Sequence, residues 1–130
     1  IPRKDPVFAY GYDAFTDPRP IRADAVTEID SVAETKLRML DCHRSQFYEW
    51  LPWNMGLEAP DPDRMSRQER QEYLDRHWGG RDRQAAEFAR EALRERYGAR
   101  GDEIRRGELF ELSPYGAQPA PAEFRALFPD

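Results

Sequence analysis

Cysteine is all but missing. Cys42 stands alone among 130 residues, which excludes an internal disulfide and any cysteine-based zinc module. A reducing, cytoplasmic setting is expected on that ground. Lysine is nearly as scarce, with only Lys4 and Lys36 beside 18 arginines. Those arginines are interleaved with 25 acidic residues, the net charge is -5 and no basic block forms, so nucleic acid is not an expected partner. No apolar run approaches the roughly 18 residues of a membrane span, and the opening residues do not read as a secretory leader. Histidine is limited to His43 and His77, too few to suggest an imidazole-rich site. Proline is missing between Pro62 and Pro114, which leaves that stretch free to be helical.

What remains is polar. Hydrophobic residues make up 39% and charged ones 35%, with a mean hydropathy of -0.93, little apolar material for a domain that must bury its own core. The length allows one domain. A partner surface, or further sequence belonging to the same domain, is therefore expected. Ile1 in place of an initiating Met carries the same expectation.

Residues 7–10 (VFAY) and 25–29 (AVTEI) are rich in β-branched and aromatic side chains and read as strands around a loop holding Asp17-Pro18-Arg19-Pro20. Loops longer than about ten residues between such elements are often functional. Ser31 with Glu34 forms a capping-box pattern, and Ile29, Ala33, Leu37 and Leu40 follow at helical spacing. That predicts a helix from about 31 into the forties, ending before Pro52. Residues 52–65 read as an extended connection. Ser66 with Glu69 repeats the capping box, and Ala85, Phe88, Ala89, Ala92, Leu93 and Tyr97 form an apolar helical stripe, with a kink or break at Gly79-Gly80 and a stop at Gly98. ELFEL (108–112) reads as a strand closed by a Pro114-Tyr115-Gly116 turn, and a short helical turn fits around Phe124 and Leu127. The inventory is α/β: two or three short strands with two or three helices, one of them long and Arg/Glu-rich. That is too little sheet for a complete layered domain.

The densest chemistry lies in CHRSQFYEWLPWN (42–54). Phe47, Trp50, Leu51 and Trp53 can simply pack a helix end against the sheet. Alternatively, His43, Gln46, Tyr48 and Asn54 present polar tips from an apolar wall, as binding pockets do. His43 has no second histidine or carboxylate at ligand spacing, and His77 lies in no HExxH pattern, so a structural role is expected for both. Cys42 reads as a buried, inert cysteine, because adjacent helical residues point about 100° apart and His43 cannot serve it as a base. No glycine-rich phosphate loop is present.

KLRMLDCHRSQFYEWLPWN, from Lys36, is similar to a helix of the PIG-L/LmbE family of deacetylases. DPVFAYGYDAFTDPRPIRADAVTEID resembles the strand, loop and strand that precede it there, and GELFELSPYG (107–116) the closing strand. The resemblance implies the C-terminal half of a Rossmann-like domain that uses zinc to hydrolyse the acetamide of an N-acetylated amino sugar or related conjugate. The family's His-Pro-Asp-Asp and His-x-x-His motifs have no counterpart here, so no metal ligand or catalytic base carries over. The resemblance implies zinc for the complete fold, none bound by this chain alone, and no activity by itself. It also implies that the loop from Asp13 to Arg22 and the segment from His43 to Asn54 border the substrate pocket, with Asp13, Arg22, His43, Gln46, Tyr48, Trp50, Trp53 and Asn54 as candidates. The expected partners are the missing N-terminal half, in the same or a separate chain, or a second copy, together with a small amino-sugar substrate. The alternative function is a non-catalytic binding or scaffold module derived from that fold.

Overall fold

A computed structural model describes residues 5–129. In chain order these form β1 (Val7–Gly11), β2 (Ala25–Glu28), α1 (Ala33–Asp41), a π-helical segment (Ser45–Trp50) running into α2 (Leu51–Asn54), α3 (Arg67–His77), α4 (Gly80–Phe88), α5 (Arg90–Tyr97), β3 (Gly107–Gly116) and α6 (Pro121–Arg125). The mixed α/β class is as expected. The break expected at Gly79-Gly80 forms, with α3 ending at His77 and α4 starting at Gly80, but a second break at Ala89 divides the rest, so the long Arg/Glu-rich helix is split among α3, α4 and α5. Residues up to Asp30 together with those from Asp82 onward make one compact unit, and Ser31–Arg81 make another.

In the first unit β3 is the central strand, antiparallel to β1 on one side and to β2 on the other. The two N-terminal strands thus meet β3 rather than each other. Gly107, Leu109, Glu111 and Ser113 alternate onto the buried face of β3. Val26 lies opposite Leu109 across the ladder, and both join Ile21, Ile104, Ala85, Ala86, Ala89 and Leu93 in the core. The alanines of α4 and α5 let those helices approach the sheet closely. Leu93 and Leu109 are at most 1% exposed, and each such burial contributes about 2 kcal/mol. Gly98 ends α5 at φ 61°, a left-handed backbone that favours glycine.

The expected turn at 114–116 is instead part of β3. Val7 pairs with Gly116 but Ala9 with Leu112, so β3 bulges around Pro114, which has no N–H to give to a ladder. On the opposite face the C-terminal segment covers β2 and the adjoining part of β3. Phe128 stacks on Phe110 with centroids 4.3 Å apart, and buried Phe124 meets Phe128 edge-on at 5.3 Å. Arg96 fastens this segment by donating to the carbonyls of Val26, Phe128 and Pro129, and Thr27 Oγ1 donates to Pro129 O at 2.9 Å.

In the second unit, α1 begins without a side-chain cap, its N-cap position being Val32 at the end of a 3-10 turn (Asp30–Val32). Helical structure also continues through Pro52 rather than ending before it. The wider π turn, marked by the Leu51 N–H to Gln46 O bond, leaves Pro52 in the first turn of α2, where no N–H is required of it. The capping box at Ser66 forms as expected: Glu69 N–H donates to Ser66 Oγ at 3.2 Å and Ser66 N–H to Glu69 Oε2 at 2.7 Å. Ser66→Ala is expected to destabilise this unit by about 1 kcal/mol, seen as a lower urea midpoint for helical circular dichroism. An unchanged midpoint would show that the cap contributes nothing to α3.

Candidate functional site

Residues 43–54 of the second unit carry one buried stripe, and the rest of the segment, Arg44, Ser45 and Glu49 included, is exposed. Tyr48 and Pro52 are buried and Phe47 and Leu51 half-buried, whereas His43, Gln46, Trp50, Trp53 and Asn54 are exposed. Helical spacing puts the exposed five along one side of the segment. Trp50 is 51% and Trp53 75% exposed, so these rings do not pack the helix end. His43 meets the edge of Phe47, at 6.5 Å between centroids, and Cys42 beside it is exposed rather than buried as expected, since it falls on the solvent side where α1 ends.

Tyr48 does not join the exposed group. Its hydroxyl donates to Asp41 Oδ1 at 2.7 Å and its ring stacks on Tyr73 at 5.5 Å. Burial first, and then the Asp41 bond, raise its pKa, so it is a held phenol rather than a proton donor at neutral pH. Asp41 also accepts from Arg70 Nε at 3.0 Å, which makes this trio the polar anchor between α1 and α3. His77 lies against Tyr73 and Trp78, at 4.8 and 5.5 Å, in the same aromatic cluster.

In the first unit the loop between β1 and β2 is strapped to the sheet by side chains. Glu111 points from the core face of β3 with 6% of its side chain exposed. It accepts from Arg19 Nη2 at 2.5 Å, from Arg19 Nη1 at 3.0 Å and from the Arg22 backbone N–H at 2.8 Å. The Arg19 fork is the main influence that holds the Glu111 carboxyl down to about 2, against burial, with Arg22 assisting through its N–H and its charge. Arg22 also grips Asp24, at 3.0 and 3.2 Å, and Asp24 Oδ2 in turn accepts from the Leu112 N–H at 3.0 Å. The ladder between β2 and β3 is thereby continued by carboxylates where the backbone pairing stops. Of the two candidates on this loop, Arg22 belongs to the network, and Asp13 is exposed farther along.

A cavity of about 940 Å³ adjoins the network, bounded by the 19–24 segment, β2, β3, α5 and the C-terminal segment. Arg22 is the single sequence candidate that lines it. Arg19, Asp24, Glu95, Glu111 and Arg125 line it too and were not among those candidates. Glu111 carried a legible signal, since it lies two residues from Leu109 and hence on the same face of the strand; a carboxylate on a core face calls for a cation.

Among the described residues no group of three or more His, Cys, Asp or Glu side chains is placed to hold a metal ion, and no helix is long and apolar enough to cross a membrane. The residues present therefore do not fit a zinc centre, and no catalytic step through a metal is assigned to them. Comparisons with protein families, with curated proteins and with solved structures each find no match.

Proposed function

We propose that this chain is the substrate-facing C-terminal part of a PIG-L/LmbE-type de-N-acetylase, acting on an N-acetylated amino sugar or related conjugate. The Rossmann-like first half and the zinc ligands belong, on this reading, to residues outside the chain. The observation that carries it is the outward face of residues 43–54. Two tryptophans face solvent on the same segment as the exposed His43, Gln46 and Asn54, although Tyr48 close by is buried and Phe47 half-buried. Exposing large indole faces forgoes burial energy, and a cluster of them beside hydrogen-bonding groups suits a ring that is apolar on its faces and polar at its edge. An acetylated pyranose has that character.

The first unit offers separate support for a partial domain. β1 has no strand on its outer side among the described residues, and Phe8 and Tyr10, on one of its faces, are 51% and 46% exposed. No lysine or proline within β1 guards that edge.

The test is tryptophan fluorescence during titration with N-acetylglucosamine. A saturable change is expected for the chain and for a Trp78→Phe control, with affinity on the order of millimolar, and is lost in Trp53→Ala. Glucosamine should bind at least about tenfold more weakly if the acetamide is recognised. A flat titration, or equal binding by Trp53→Ala, would remove the basis for the proposal. Stoichiometric zinc uptake by the chain in a calorimetric titration would also overturn the division of labour.

A further inference from the structure

We propose that the cavity of the first unit binds a small apolar zwitterion, an amino acid or short peptide with both its ammonium and its carboxylate free. This stands apart from the amide-hydrolysis proposal: of the pocket candidates named for that reading only Arg22 lines this cavity, and it is already held by Asp24 and Glu111.

The chain carries a net charge of -5, yet this cavity is lined by four arginines (Arg19, Arg22, Arg96, Arg125) against three carboxylates (Asp24, Glu95, Glu111). Most of these groups are already committed. Glu111 is held by Arg19 and Arg22, Asp24 by Arg22 and the Leu112 N–H, and Arg96 donates to three backbone carbonyls. Two are not. The side chains of Glu95, on α5, and Arg125, on α6, make no hydrogen bond or ion pair among the described residues, not even with each other. A lone cation and a lone anion thus face one cavity from different helices and remain apart.

Apart from Gln118, whose amide donates to Ser113 O, the remaining lining is apolar, including Val26, Leu112, Phe124 and Phe128. A ligand that was only an acid would satisfy Arg125 but strip water from Glu95 without replacing it, and an amine alone would do the reverse. A molecule with both charges and an apolar body between or beside them satisfies the whole surface. The volume of about 940 Å³ exceeds what a single amino acid fills, and it lies within the range of small-molecule sites. Free amino acids and short unblocked peptides share the required chemistry and differ in length.

Isothermal titration with L-phenylalanine, trileucine, N-acetyl-trileucine and trileucine amide separates the cases. Trileucine is expected to bind at millimolar concentration or tighter, and blocking either end is expected to weaken it about tenfold, the effect of one charge-assisted hydrogen bond. In Glu95→Gln the acetylated and free peptides become equivalent; in Arg125→Gln the amide and the free peptide do. Both side chains are exposed, so folding should be retained, which circular dichroism checks. If L-phenylalanine binds as well as trileucine, the ligand is the free amino acid. Equal binding of blocked and unblocked peptides, indifference to both substitutions, or no heat at ligand concentrations on the order of 10 mM would each overturn the proposal.

Discussion

Gly101→Ala is expected to abolish cooperative folding of the first unit, at a cost of about 4 kcal/mol or more. A Cβ at this position would lie 2.6 Å from both the Cα and the N of Arg94 and 2.7 Å from the carbonyl carbon of Leu93. All three are backbone atoms of α5, so no side-chain rotation relieves the clash. The helix would have to withdraw, and Leu93, fully buried, is what holds it against the sheet. The turn itself cannot easily yield either, because Arg90 Nη1 donates to Gly101 O at 2.6 Å and to Ile104 O at 2.8 Å. Gly80→Ala provides the control: nothing lies within 4 Å of the place its methyl group would take, and alanine is the better helix former. Urea unfolding should show Gly80→Ala at or above the parent midpoint and Gly101→Ala with no transition from this unit. A Gly101→Ala midpoint near that of the parent would mean that α5 and the turn are not packed as described.

The second large effect is expected at Glu111. Glu111→Gln presents an amide N–H₂ to the guanidinium of Arg19 and removes the charge that draws both arginines in. The expected loss is about 2–3 kcal/mol, below the range for a fully buried pair because Arg19 and Arg22 are each about half exposed (49% and 53%) and regain water. The same carboxylate sets a pH dependence. Its pKa is lowered from an ordinary 4.5 to about 2, so the folded state binds the proton less readily than the unfolded chain. The contribution is therefore complete above about pH 4.5 and is lost as pH falls toward 2. Urea midpoints measured from pH 7 down to pH 2 should fall more steeply for the parent than for Glu111→Gln. Parallel curves would exclude Glu111 as the source.

How much of this was legible in the sequence follows from the range of the interactions involved. The strands at 7–10, 25–29 and 108–112, the cap at Ser66 and the stop at Gly98 rest on local patterns, and each formed. The helix start foreseen at Ser31 falls two residues later, since the chain takes a 3-10 turn over Asp30–Val32 and α1 begins at Ala33. Pro52 misled for a related reason: a proline excludes an ordinary helix interior but not the turn that follows a π segment. The break at Ala89 falls within an unbroken apolar stripe and left no local signal, and the bulge at Pro114 depends on pairing with β1, which no window of neighbouring residues contains. In the candidate sites the exposed side of 43–54 was legible as composition but not as orientation, since aromatics suit a core equally well. The strap joining Arg19 to Glu111 spans 92 positions. Only the face of β3 on which Glu111 falls hinted at it.

The order of the strands also bears on how the chain folds as it is made. β1 and β2 both pair with β3 and not with each other, and the β2 ladder opens with Glu28 against Gly107, 79 positions further along the chain. Neither N-terminal strand has its neighbour until residues 107–116 have been synthesised, so this unit must close a long loop before its ladder repays the entropy. Ser31–Arg81 is contiguous and has no such delay. Its helices can form while β1 and β2 wait, which makes the interval before β3 emerges the time when the apolar strand VFAYG is most open to wrong partners.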